Sequence, residues 1–268
     1  MKKYILTLMV LSMAALNAQQ TPVLKSKRGI NILPQQGEYC LGFGATPILE
    51  YFGNMFNNSS GTNGNLVGFP TSNASVFGKY MKTNNYAYRA SIRLGFSTIN
   101  TTFEVADMSP GAAVGAKVND VQKTSTNNFG LGFGFEKRKG NTRIQGYYGL
   151  EGLISFTGQS TKNSYGNKLE YYDTGVQRQT KLNNGNTFGL QARAFAGVEY
   201  FIAPKVSLGA EFGFGPALRM RSFNTYAYEI YNFTTNTIQE FELSGSKSTT
   251  FTIDNDNYSG ILKLLFYF

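Results

Sequence analysis

Histidine is absent from this 268-residue sequence and cysteine occurs once. Without histidine there is no Ser-His-Asp triad, no Cys-His pair and no imidazole metal ligand. The commonest routes to hydrolytic and metal-assisted catalysis are therefore closed. The lone Cys40 cannot form an intrachain disulfide, so an exported chain of this size must be held by its fold alone. We read Cys40 as a small inward-facing filler at the start of a strand. Charge is also sparse, at 15% of residues, and there are only seven prolines. Long apolar runs are scarcer still. Beyond Ile5 to Leu16, no stretch approaches the roughly 20 residues that a helical membrane span requires.

That one run follows Lys2 and Lys3 and ends at Leu16-Asn17-Ala18, the arrangement of a cleaved export signal. The sequence thus predicts a signal peptide over 1–18, a periplasmic segment over 19–37 and a β-domain over 38–268. An exported chain without a second apolar span either stays in solution or hides its hydrophobicity in alternation, as outer-membrane barrels do. Alternation is what the remainder shows. Counted back from Phe268, the residues Phe266, Leu264, Leu262 and Tyr258 share a face with Gly260, while Lys263 and Ser259 take the other. A tilted strand crosses a bilayer in about 9–11 residues, which 258–268 supplies. As a free edge such a segment invites aggregation, and closing a barrel removes the edge.

The same period recurs in Tyr39–Tyr51, Ala74–Met81, Tyr86–Phe96, Asn128–Arg138, Arg143–Phe156, Gly185–Phe201 and Val206–Leu218. Pro47 belongs at a bulge or rim. Short turns are predicted at 82–85, 139–141 and 202–205, and long polar loops over 52–73, 99–127, 157–184 and 219–257. The last loop can hold its own hairpin, Tyr226–Phe233 with Thr237–Leu243. The content of 30 glycines, 22 Phe and 17 Tyr suits aromatic girdles around a narrow lumen. The expected fold is all-β: an antiparallel up-and-down transmembrane β-barrel of about eight strands, with short periplasmic turns and long extracellular loops.

The segments VFGKYMKTNNYAYRASIRLGF (76–96), GLGFGFEKRKGNTRIQGYYGLEG (130–152) and AGVEYFIAPKVSLGAEFGFG (196–215), with the terminal phenylalanine, carry a resemblance. They resemble the small eight-stranded outer-membrane barrels of Bacteroidota, akin to the transmembrane domain of outer membrane protein A. The resemblance covers about residues 38–268. It implies a place in the cell outer membrane, contact with phospholipid and lipopolysaccharide, and delivery by the barrel assembly machinery. Function is specified weakly, because such barrels serve as structural proteins, adhesins, small pores and secretion accessories. The enzymes among outer-membrane barrels rely on a catalytic histidine, which is missing here. The expectation is a non-enzymatic structural or surface interaction module without a cofactor. The alternatives are a small-solute channel or transporter and an accessory subunit of a secretion or assembly complex.

Two sets of residues follow from the alternation. Glu136, Glu151, Glu199 and Glu211 face inward with Arg89, Arg93, Arg143, Arg193 and Lys263. An eight-stranded lumen is filled mainly by its own side chains, so a closed plug of ion pairs is expected ahead of a gated ion path or ligand site. Lys82, Lys137, Arg138, Lys139 and Lys205 gather at the short turns, where they are expected to meet anionic headgroups of the inner leaflet. The net charge of +9 does not point to nucleic acid, since no groove-reading element accompanies it. Asp254-Asn255-Asp256-Asn257 begins like a calcium loop, but Tyr258 replaces a ligand and Leu265 stands where the closing glutamate belongs, so no metal site is predicted.

Overall fold

The computed structural model describes residues 24–44, 76–172, 175–255 and 261–268. The export-signal segment 1–18, Pro47, the loop 52–73 and the calcium-like residues 256–258 lie outside these. The chain is all-β, with twelve strands among the described residues: β1 (Tyr39–Gly44), β2 (Val76–Thr83), β3 (Tyr86–Ala106), β4 (Lys117–Lys139), β5 (Ile144–Ser164), β6 (Gln177–Asn183), β7 (Thr187–Ala203), β8 (Val206–Arg221), β9 (Thr225–Asn232), β10 (Thr237–Ser244), β11 (Ser248–Asn255) and β12 (Ile261–Tyr267). Every pairing is antiparallel.

Eight strands close a ring in the order β1, β2, β3, β4, β5, β7, β8, β12, with β12 pairing back to β1. Its geometry can be read from the register. Starting at Ile144, successive partners are Tyr200, Leu208, Leu264, Phe43, Val76, Ile92 and Leu131, and the path returns to β5 at Ile154, ten residues further on. With a rise of about 3.3 Å and a strand spacing of about 4.8 Å, that stagger over eight strands tilts them by about 40°. All nine side chains on this spiral are apolar and lie on the outer face, exposed or half-exposed.

The other strands prolong the ring on one side. β6 precedes β7 along the edge of β5, and Gly185, at φ 78°, sits between them where one extra residue is absorbed. β9 continues β8 beside β6, and β11 precedes β12 along β8. β3, β4 and β5 run 21, 23 and 21 residues, well beyond the ring. Most of the expected loops at 99–127, 157–184 and 219–257 are thus strand. Only the 226–243 hairpin was foreseen, and it forms as β9 and β10. Along 97–106, 117–127 and 157–164 Asn, Ser and Thr fall on both faces and interrupt the apolar alternation. Their backbone ladders are joined by hydroxyl pairs such as Thr98 with Ser125 (3.3 Å) and Thr124 with Thr161 (3.2 Å). At the β3–β4 tip, the hydroxyl and then the backbone N–H of Ser109 donate to Asp107 and hold its carboxyl below the ordinary range.

The opposite end of the ring is capped. The segment preceding β1 folds across the short turns: Gly37 N donates to Met81 O (2.8 Å) and Lys205 N donates to Ile32 O (3.1 Å). Ile32, only 2% exposed, packs with Cys40, Met81, Ala87, Phe201, Leu265 and Tyr267, and Leu24 and Leu33 lie beside them. Lys205 adopts φ 64°, and its ammonium bridges Glu38 (2.7 Å) and the Leu33 carbonyl (2.9 Å). The cap leaves no periodic trace in the sequence, because it is irregular backbone. Ile32→Ala should destabilise the protein by about 2–5 kcal/mol in urea titration. A loss below about 1 kcal/mol would show that the cap collapses around the change or contributes little.

Candidate functional site

The interior of the ring is charged. Five cations, Lys79, Arg89, Arg138, Arg193 and Lys263, are buried with four carboxylates, Glu136, Glu151, Glu199 and Glu211. They come from β2, β3, β4, β5, β7, β8 and β12, on alternate positions that the pleat turns inward. Each charge would be costly alone, and each is met by an opposite one.

Two layers can be distinguished. Nearer the cap, Lys79 lies 3.0 Å from Glu136 and 3.4 Å from Glu199. Arg138 Nη1 contacts Glu136 (3.2 Å) and donates to the Tyr267 hydroxyl (2.7 Å), while its Nε donates to Gln145 (3.0 Å). Its Nη2 is 3.0 Å from Glu199, a charge contact out of hydrogen-bond alignment. Glu199 also accepts from Ser207 and from Tyr267 (2.7 Å). In the next layer Glu211 is the hub: Arg89 donates twice (2.9 and 3.2 Å), Arg193 at 2.7 Å and Lys263 at 2.8 Å. Glu151 takes Arg89 (3.2 Å), Arg193 (3.4 Å) and the Ser91 hydroxyl (3.2 Å). Aromatic faces fill the gaps, with Arg89 4.1 Å above the Phe195 ring and Lys263 4.3 Å above Phe77.

Glycine makes the space for these groups. A Cβ on Gly213 would collide with the Arg193 guanidinium, and one on Gly132 with Ser91 Oγ and, at 2.8 Å, Glu151 Oε1. Gly213 and Gly132 thus leave room for the ends of the Arg193, Ser91 and Glu151 side chains where the network places them.

The expected interior residues divide. Arg89, Glu136, Glu151, Arg193, Glu199, Glu211 and Lys263 are brought together as described. Arg93 is half-buried one level up, lining a cavity of ≈ 550 Å³ with Arg219, Gln191 and Asn128 above the Glu151 and Arg193 layer. Arg143 is not in the network: it immediately precedes β5 and donates to the Phe201 carbonyl (2.9 Å) at the capped end. Lys79, in neither expected set, and Arg138, expected at a headgroup, belong to the network. Their parity is the signal that identifies them: Lys79 is the ladder partner of buried Cys40, and Arg138 lies two residues along β4 from Glu136, opposite buried Tyr147.

The expected headgroup set divides as well. Lys82, Lys137 and Lys139 are exposed at the turns, with Lys82 donating to the Tyr88 hydroxyl (3.0 Å). Arg138 is buried in the interior and Lys205 is engaged by the cap, so neither is free to meet a headgroup. Among the described residues no cluster of three or more His, Cys, Asp or Glu is placed to hold a metal. The arrangement sets each cation against one or more carboxylates, so the charges compensate one another within the ring.

The comparisons add nothing to this. No protein-family model matches the chain, and neither the curated proteins nor the solved structures include a similar one. The class defined by the structure is an all-β chain built on a closed antiparallel ring of eight strands.

Proposed function

We propose that the chain is a non-enzymatic integral protein of the cell outer membrane, an eight-stranded transmembrane β-barrel that presents its strand extensions as a structural or surface interaction module. One observation carries the reading: the ring is inside out relative to a soluble protein, with charge buried and apolar side chains exposed. Phe133, Leu150 and Phe212 are 64%, 53% and 50% exposed on the outer face, while Glu136 and Glu199 are fully buried. An apolar surface of that extent needs a hydrophobic solvent or partner. The dimensions suit a bilayer. On β3 the outward residues from Tyr88 to Phe96 are Tyr, Ala, Ile, Leu and Phe, and at about 3.3 Å per residue and 40° tilt they span about 20 Å, close to the ~25 Å apolar band of such barrels. Tyr39, Tyr80, Tyr88, Tyr148 and Tyr200 project outward toward the capped end, where an aromatic girdle belongs. The paired charges in the lumen favour a closed barrel over a channel.

The test is reconstitution of the full chain into detergent and liposomes. The folded protein should require detergent for extraction, change its gel mobility on boiling and give no discrete conductance in planar bilayers. In whole cells, added protease should cut in the strand extensions and spare Lys82 and Lys139. A chain that stays soluble without detergent and migrates alike before and after boiling would sink the proposal, and cleavage at Lys82 or Lys139 in intact cells would invert the topology.

A further inference from the structure

We infer that the outer face of β4, β5 and β6, where the apolar belt ends, binds a phosphorylated glycolipid: acyl chains on the belt, sugar in a groove of hydroxyls and amides, and phosphate on a row of three lysines. The inference rests on the outer-membrane reading and identifies a lipid partner for that surface.

The lysine row is the first observation. Lys123 is the ladder partner of Lys162, and Lys162 of Lys181, so three ammonium groups stand side by side on the same face, all exposed. Directly opposed residues have Cβ atoms about 5 Å apart, and like charges there destabilise a sheet. No carboxylate relieves them: among the described residues none of the three forms an ion pair. Nearby acids are engaged or distant, since Glu104 holds Lys117 (2.7 Å), Glu229 holds Arg178 (2.7 Å) and Glu242 is two strands away, opposite Ala227. The row is a standing site for an anion.

What lies beneath it specifies which anion. Two residues down the strands, Ser125, Ser160 and Asn183 are partners, and Asn127 with Gly158 come next. These form a concavity of ≈ 380 Å³, edged by Thr98, Asn186 and Phe96, whose ring is 82% exposed. A Cβ at Gly158 would fall 2.5 Å from Asn127 Oδ1 and 2.6 Å from Asn186 Oδ1, so glycine keeps the floor open between two amides. Hydroxyls and amides both donate and accept, which matches sugar hydroxyls, and no cation lines the groove. One step lower, Phe129, Phe156 and Phe188 are partners and open the apolar belt. From the phenylalanine row to the lysine row is about 20 Å along the strands, or about 15 Å in height at their tilt. A glycerol headgroup is too short to join acyl chains on that belt to phosphate at that height, whereas an acylated sugar phosphate spans it.

Native mass spectrometry of the full chain folded in detergent tests this. The probes are a synthetic bis-phosphorylated acylated glucosamine disaccharide, its dephosphorylated form and phosphatidylglycerol. Replacing all three lysines (Lys123→Gln, Lys162→Gln, Lys181→Gln) should weaken binding of the phosphorylated disaccharide at least about ten-fold, given that each basic residue near an anionic surface contributes to attraction. Removing the phosphates from the lipid should have a like effect on the wild type. Gly158→Leu, which obstructs the groove, should lower affinity for the disaccharide and leave phosphatidylglycerol unchanged. Without lipid, the triple variant should be no less stable than the wild type. Equal binding by variant and wild type overturns the inference, as does phosphatidylglycerol binding as tightly as the disaccharide. A wild-type chain that never inserts into detergent overturns the membrane reading and this inference together. An inserted chain whose lysine variant binds normally overturns this inference alone.

Discussion

Glu211→Leu is expected to cost the folded protein about 3–5 kcal/mol, the largest loss from any single charge in the lumen. Glu211 is the carboxylate that Arg89, Arg193 and Lys263 share, at 2.9, 2.7 and 2.8 Å. Without it both arginines retain Glu151, but Lys263 has no second carboxylate partner among the described residues. The loss therefore reflects cations left in a place where water cannot solvate them, which is larger than the net value of the intact cluster. Two comparisons isolate that cause. Adding Lys263→Met to the same chain should recover part of the stability, and Glu104→Leu, which breaks an ion pair whose side chains are 62% and 64% exposed, should cost less than about 1 kcal/mol. Urea unfolding in lipid vesicles measures all three. A Glu211→Leu chain as stable as the wild type would mean that water reaches the lumen and screens it.

Phe212→Arg is expected to cost about 2–4 kcal/mol in a bilayer. Phe212 faces outward at the middle of β8, 50% exposed, with Ala196 as its ladder partner. In water an arginine at a half-exposed surface position is nearly silent, so the solvent around the ring decides the size of the effect. Leu264→Arg on β12 should behave in the same way. Thr102→Arg, outward on the extension of β3, provides the contrast and should change stability by no more than about 0.5 kcal/mol. Similar values for Phe212 and Thr102 would place both residues in the same medium and remove the membrane from the account.

Much of the ring was legible because one physical pattern governs it. Where one face is apolar and turned outward and the other packs a polar interior, the sequence alternates, as in Phe129, Leu131, Phe133 and Phe135 against Gly130, Gly132, Gly134 and Glu136. Parity then assigns Arg89, Glu151, Arg193, Glu199, Glu211 and Lys263 to the interior before any contact is known. Legibility stops where that contrast stops. Residues 97–106 and 117–127 form strands whose two faces are both solvated, so Thr, Asn and Ser occupy either side and the segment looks like a loop. Near the turns a different ambiguity arises. Lys137, Arg138 and Lys139 look equivalent by composition, yet the pleat sends Arg138 inward to Glu136 and Tyr267 and leaves its neighbours outside. The row of Lys123, Lys162 and Lys181 is invisible for a third reason: it exists only across strands, and its members are far apart along the chain.

The seam between β1 and β12 has a kinetic meaning. Tyr39 and Phe268 exchange both backbone hydrogen bonds there (2.9 and 3.0 Å), joining the two most distant strands of the ring, whereas β3 and β4 meet across the short tip between Ala106 and Lys117. Loop closure grows as the logarithm of the intervening length, which makes the seam costlier to close than that hairpin by about 3 kcal/mol. The hairpins should therefore zip first and wait as an open, curling sheet. Until the last strand reaches the first, Cys40 and Met81 have no Leu265 or Tyr267 to pack against, and Glu211, which meets Lys263 through the β8–β12 pairing, has no Arg89 from across the ring. Closing the seam is then the step that creates both the apolar floor and half of the ionic hub, so assembly of the interior is delayed until the circle is complete.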